Sequence, residues 1–167
     1  EISYGSISGR YGVWFSCESK DDQKIRKPFI LIEGFDPLND RKLDTRKPPI
    51  EENNLYTVFN VYDFAERLRN EYNYDIIILE FADGGDDLIN SAMLTKELIQ
   101  TINSQKITNE EIIIAGPSAG GLITRYALTY MEHNNIPHEV KLFISFDSPH
   151  QGANVPLGIQ YMVNFLA

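Results

Sequence analysis

Four short runs of the chain are apolar at every position: Phe29-Ile30-Leu31-Ile32, Ile76-Ile77-Ile78-Leu79 running on to Phe81, Ile112-Ile113-Ile114-Ala115, and Leu142-Phe143-Ile144-Ser145-Phe146 with one serine. A strand with one wet face alternates, whereas an unbroken run suits a strand covered on both faces. Between these runs the period changes. Val58, Val61, Tyr62, Ala65, Leu68 and Tyr72 recur at helical spacing over Leu55 to Tyr72, with Asn53 or Asn54 placed to cap the start. Further helices are predicted from Leu88 to about Ile102 and from about Ala119 to Met131. The turn Asp83-Gly84-Gly85-Asp86-Asp87 precedes the first of these, and its acidic side chains complement a helix N-terminus.

Ahead of the first run, residues 4–17 alternate around Gly5, Gly9 and Gly12, which predicts a β-hairpin, and Glu18 to Lys27 reads as a loop. The polar stretch from Asp36 to about Asn54 carries Pro37, Pro48 and Pro49, which disfavour a helix. A connection of that length is often functional. Strand and helix then alternate four times. The expected fold class is α/β: a mostly parallel sheet with helices on both faces, preceded by an N-terminal hairpin. With 167 residues, a single domain over 1–167 is expected. Ligands bind such sheets at the carboxyl ends of the strands. Those ends carry Gly34-Phe35-Asp36, Asp83-Gly84-Gly85, Gly116-Pro117-Ser118 and Asp147-Ser148-Pro149-His150.

Composition narrows the field. Hydrophobic residues at 43% and charged residues at 23% are ordinary for a globular chain. A formal net charge of −9 argues against a nucleic-acid partner and against lasting adhesion to an anionic membrane. The chain holds no apolar run of membrane-spanning length. Its first residues do not form a signal peptide, and the missing initiator Met suggests a mature or trimmed form, so export to a periplasmic or extracellular site stays open. The basic residues from Arg41 to Lys47 read as a solvated loop. The single Cys17, among Trp14, Phe15 and Ser16, excludes an internal disulfide and a cysteine zinc cage, and reads as a buried structural thiol. Asp83, Asp86 and Asp87 are too few and too close to form a full calcium cage, so helix capping explains them better. No metal is expected.

The candidate chemistry lies at Gly116-Pro117-Ser118-Ala119-Gly120, a Gly-x-Ser-x-Gly pattern. The bare pattern is weak, but here it directly follows a buried strand and directly precedes an amphipathic helix, the setting of a nucleophile elbow. Side chains at 116 and 120 would meet neighbouring backbone in so tight a turn. Ser118 would be held in a strained conformation with its hydroxyl off the sheet edge, and the helix N-terminus beneath it favours a developing oxyanion. One oxyanion donor would be the N–H of Ala119. The second is expected from the Glu33-Gly34-Phe35-Asp36-Pro37 loop, with the Phe35 N–H the natural candidate.

With these residues in hand, the sequence resembles the bacterial lipase-like α/β-hydrolases, which are serine esterases and lipases. The matching segments are Pro28 to Pro37, Asp83 to Ala92, Gly116 to Leu122 with Arg125-Tyr126, and Ile144 to Gly158, centred on Ser148-Pro149-His150-Gln151-Gly152-Ala153. The resemblance implies a serine ester hydrolase for lipid or other small-molecule acyl esters, working without a cofactor, with Pro156 to Ala167 beginning a lid or cap. Many such lipases carry His-Gly before the oxyanion residue, where this chain has Glu33-Gly34. The family places its triad acid and histidine, in that order, on strands after the fourth one found here. That implies an incomplete domain, or a partner that supplies the rest.

Among the three histidines, His133 and His138 belong to the opposite edge of the sheet, and His150 to the edge of Ser118. Asp147 is at that edge too, and some relatives place their acid there. Asp147 as acid and His150 as base are therefore candidates, beside the reading of both as a turn that shapes the cleft floor. Rival functions are a non-catalytic binding module on the same scaffold and an acyltransferase using Ser118. The residues do not fix acyl chain length, head group or oligomeric state.

Overall fold

The computed structural model describes residues 1–43, 54–154, 156–158 and 161. Two short strands, β1 (Ile2–Tyr4) and β2 (Ile7–Trp14), form the N-terminal hairpin about Gly5. They are followed by β3 (Pro28–Ile32), helices α1 (Leu55–Phe59) and α2 (Phe64–Glu71), β4 (Asp75–Phe81), α3 (Leu88–Gln105), β5 (Ile112–Pro117), α4 (Ala119–His133) and β6 (Val140–Phe146). The sheet runs β1-β2-β4-β3-β5-β6. The last four strands are parallel, and β2 joins β4 antiparallel. Strand β6 lies at the sheet edge and is partly exposed, with Leu142 and Phe146 open to solvent, so the fourth apolar run is not covered on both faces as its three partners are.

The pleat explains why the runs are apolar throughout. Ile30, Ile32, Ile77, Leu79, Ile112 and Ile114 point to the face packed by Leu94, Leu98, Ile99 and Ile102 of α3 and by Ile123, Ala127 and Met131 of α4. Their neighbours Phe29, Leu31, Ile76, Ile78, Ile113 and Ala115 point the other way, onto Leu55, Tyr56 and Ala65 of α1 and α2. Helices on both faces bury the central strands β3 and β4 completely. Apolar burial on this scale is the main driving force for the fold.

Three expectations need correcting. The helix expected over Leu55 to Tyr72 is broken. Tyr62 and Asp63 take left-handed backbone (φ 54° and 58°), and a single 3₁₀ turn, Val61–Asp63, separates α1 from α2. Asn60 causes the break from both sides: its N–H closes α1 on the Tyr56 and Thr57 carbonyls, and its side-chain Oδ1 accepts the N–H of Glu66 in α2. Val61 and Tyr62 keep the helical spacing in sequence yet point to solvent. At the start, Asn54 is the cap, its side chain accepting from the Tyr56 N–H, while Asn53 lies outside the described residues. Cys17 is exposed, not buried; its Sγ faces Asn70 Oδ1 at 3.4 Å. The buried polar group there is Ser16, whose N–H is drawn inward onto the Asp75 carboxylate. Finally, Arg41 and Lys42 are not simply solvated. Lys42 Nζ lies 3.4 Å from the buried Glu80 carboxylate, and Arg41 is tied to the loop after β3. Residues 44–47 of that basic stretch lie outside the described residues, as does most of the segment read as the start of a lid.

Candidate active site

Ser118 stands between the end of β5 and the start of α4, with φ 51° and ψ −126°. A non-glycine residue there is strained by about 1–3 kcal/mol, which the surroundings must over-determine. They do so at both ends. The Ser118 N–H completes the β5–β6 ladder on the Phe146 carbonyl (2.9 Å), and its carbonyl accepts the Gly121 N–H at 3.2 Å. The glycines on either side are there for space. A Cβ on Gly120 would come within 2.6 Å of the Ile32 carbonyl oxygen and 2.7 Å of that of Glu33, and one on Gly116 would overlap the Gly120 backbone. The turn is therefore wedged directly against the end of β3.

That contact brings in the loop expected to supply the second oxyanion donor. A Cβ on Gly34 would reach the Pro117 carbonyl oxygen at 3.2 Å and the Ser118 Cβ at 3.5 Å, so the loop abuts the serine. The Asp36 N–H bonds the Gly84 carbonyl (2.9 Å), joining this loop to the turn after β4 in an antiparallel bridge. Among the described residues, no protein acceptor takes the N–H of Phe35 or of Ala119. Phe35 itself is 58% exposed. In the acidic turn, Asp87 caps α3 by accepting from Ile89 and Asn90, and Asp83 accepts from Gly85.

The candidate acid and base stand at the same edge but are not joined to the serine. His150 Nε2 lies 2.8 Å from Ser145 Oγ, and among the described residues no hydrogen bond links Ser118 Oγ to His150 or Asp147. Asp147 has left-handed backbone (φ 43°) in the turn leaving β6. The Ser145 and Ser148 hydroxyls press on Gly121, so this turn packs against the first turn of α4. His138 lies at the far edge: its Nδ1 accepts from the N–H of Val140, the first residue of β6. His133 ends α4 and is exposed.

One feature escaped sequence reasoning. Glu33, just beyond β3, is 1% exposed. One carboxylate oxygen accepts the Phe81 N–H at 3.2 Å; the other is buried, 4.0 Å from Arg41 Nε, without a hydrogen-bond partner among the described residues. Burial pushes its pKa up to about 7, against the Phe81 N–H and the nearby Arg41, which favour the charged form. For Asp36 burial would also raise the value, but the N–H groups of Arg41 and Asp40, with the Arg41 charge, hold it below the ordinary carboxylate range. The only clue in the sequence is Glu where relatives carry His. Nothing in the pattern shows that Arg41 folds back over it.

The fold agrees with known proteins. The family model described as "Putative serine esterase (DUF676)" matches residues 85–166, the half containing Ser118 and the Ser148–Gly152 turn. Est1E of Butyrivibrio proteoclasticus, solved with ferulic acid bound, superposes with a TM-score of 0.54 at 16% identity, over 85% of this chain and 49% of its own. The chain has the α/β-hydrolase fold. An esterase of the fungus Rhizomucor miehei gives a TM-score of 0.50 at 14% identity, over 88% of this chain and 46% of that one. Esterase 2 of Thermogutta terrifontis, in its apo form, also gives 0.50, at 12% identity over 96% and 61%. Identities this low show a common fold alone, and the chain spans about half the length of the first two. No curated protein sequence matches it. Among the described residues, no helix is long and apolar enough to cross a membrane.

Proposed function

We propose that this chain carries the nucleophile of a serine carboxylic-ester hydrolase, with Ser118 forming an acyl-enzyme. The observation that carries the reading is the strained backbone of Ser118, wedged between strand and helix with the Gly34 loop against its Cβ. Strain of this kind persists where function selects for it.

In the proposed reaction a histidine takes the Ser118 proton as Oγ attacks the ester carbonyl. The oxyanion is received by the N–H groups of Ala119 and Phe35. Collapse expels the alcohol, which takes up the proton. Water, activated by the same base, then releases the acid and restores Ser118. His150 is the candidate base and Asp147 the candidate acid, since they share the Ser118 edge; for catalysis His150 must leave Ser145 for Ser118. The substrate is a lipid or other small-molecule acyl ester, as the resemblance implies.

Hydrolysis of a short-chain p-nitrophenyl ester tests this. Turnover should be lost in Ser118→Ala, and full turnover in that variant would overturn the reading. Loss in His150→Ala as well would assign the base. The contact between His150 and Ser145 favours a second reading, a binding module on the same scaffold, which predicts no Ser118-dependent turnover in any variant. Competition between water and an alcohol as acceptor separates a hydrolase from an acyltransferase.

A further inference from the structure

The loop expected to supply the second oxyanion donor is gripped by one side chain from six residues further along the chain. Arg41 donates from its terminal nitrogen Nη2 to the Phe35 carbonyl at 2.6 Å. Its Nε lies 3.6 Å from the Asp36 carboxylate and 4.0 Å from that of Glu33. The grip is reciprocal, because Asp36 accepts the backbone N–H of Arg41 at 2.9 Å and that of Asp40 at 3.3 Å. The peptide unit joining Phe35 to Asp36 is therefore held at both poles: its C=O by Arg41, its N–H by the Gly84 carbonyl. The preceding residue, Gly34, lies so close to Pro117 and Ser118 that an added Cβ would crowd both. Fixing the next peptide unit beside this close approach restricts how the Phe35 N–H can turn.

We infer that Arg41 is a positioning residue that aims the Phe35 N–H at the Ser118 oxyanion by locking the Phe35–Asp36 peptide. The inference rests on the proposed esterase reading for its effect on turnover, but not for its effect on the loop. A planar guanidinium suits the task, because its several donors in fixed geometry can reach a carbonyl and a carboxylate together. An ammonium gathers its three donors on one atom and lacks the spread, fixed fork that spans separated acceptors. Among the described residues the Arg41 side chain meets Phe35, Asp36 and Glu33 and not Ser118, so it acts through the loop.

The test compares wild type with Arg41→Met and Arg41→Lys by two readouts. The first is ester hydrolysis. Misaiming one oxyanion donor should lower kcat about 10- to 100-fold and leave KM within about twofold, because the donor matters in the transition state and little in substrate binding. Arg41→Lys should recover part of the loss. The second readout is amide hydrogen exchange, which needs no turnover: the Asp36 N–H should exchange about tenfold faster in Arg41→Met. Unchanged exchange at Asp36 would overturn the inference whatever the kinetics, as would a kcat within twofold of wild type in an enzyme with Ser118-dependent turnover. If wild type shows no such turnover, the esterase reading fails while exchange still decides whether Arg41 locks the peptide.

Discussion

Two buried carboxylates sit at opposite ends of neighbouring central strands, and their surroundings differ sharply. Asp75 opens β4 at the amino end of the parallel sheet, 0% exposed, and is met by four donors: the N–H groups of Ser16, Arg26 and Lys27 at 2.9, 2.7 and 3.2 Å, and the Ser19 hydroxyl at 3.1 Å. Glu33 follows β3 at the carboxyl end, equally buried, with one N–H donor and one oxygen that has no hydrogen bond. At the amino end a carboxylate stitches the long loop between β2 and β3 to the sheet, and its hydrogen-bonding capacity is filled. At the carboxyl end, among the described residues, the chain has a carboxylate oxygen without a hydrogen bond, a strained serine and two N–H groups without acceptors. Frustration of this sort concentrates at functional sites, where the rest of the fold must offset it.

Asp75→Ala should break the contrast most severely. It would leave several buried N–H groups without an acceptor and should cost about 3–5 kcal/mol of stability, read as a fall in the urea midpoint. A loss below about 1 kcal/mol would mean that water replaces the carboxylate and that the stitch is incidental.

A smaller effect, of opposite sign, is expected at Glu33, and it depends on pH. The folded-state pKa of about 7 lies above the ordinary value of 4.5, so the native state holds the proton more tightly. Its stabilising contribution is whole below pH 4.5 and is lost as pH rises through 7. Glu33→Gln, which keeps the shape and removes the charge, should therefore match wild type near pH 4.5 and exceed it by up to about 3 kcal/mol at pH 8. A difference that does not change with pH would show that Glu33 keeps its charge in the fold.

Smallest is the relief of strain at the serine. Ser118→Gly should raise stability by about 1 kcal/mol, since glycine takes positive φ without penalty. The gain should come with loss of Ser118-dependent turnover; a destabilised variant would mean the backbone there is not strained.

The same contrast explains what could be read from the sequence. Three of the four parallel strands were legible because burial on both faces leaves an unbroken apolar run, and Phe29–Ile32, Ile76–Leu79 and Ile112–Ala115 each fell within the observed strands; the fourth, β6, is apolar in sequence yet lies at the sheet edge with Leu142 and Phe146 exposed. The tight strand-to-helix turn at Ser118 was legible because close backbone approach admits only glycine at 116 and 120. The break at Tyr62 was not, because Val61 and Tyr62 keep the apolar period while Asn60 overrides it through its own hydrogen bonds. Nor was the exposure of Cys17, which depends on Asp75, 58 residues away, capturing the Ser16 N–H. The grip of Arg41 on the Glu33–Asp36 loop was hidden for a similar reason: a basic residue in a polar loop looks solvated until the chain is seen to fold back.

The most direct test of the central claim is covalent. The protein is treated with a fluorophosphonate, which reacts with an activated serine and spares an inert one, and the adduct is located by mass spectrometry. The account predicts a single adduct, on Ser118, absent from Ser118→Ala. An unlabelled Ser118 in the folded protein would contradict it and leave a hydrolase scaffold without the chemistry.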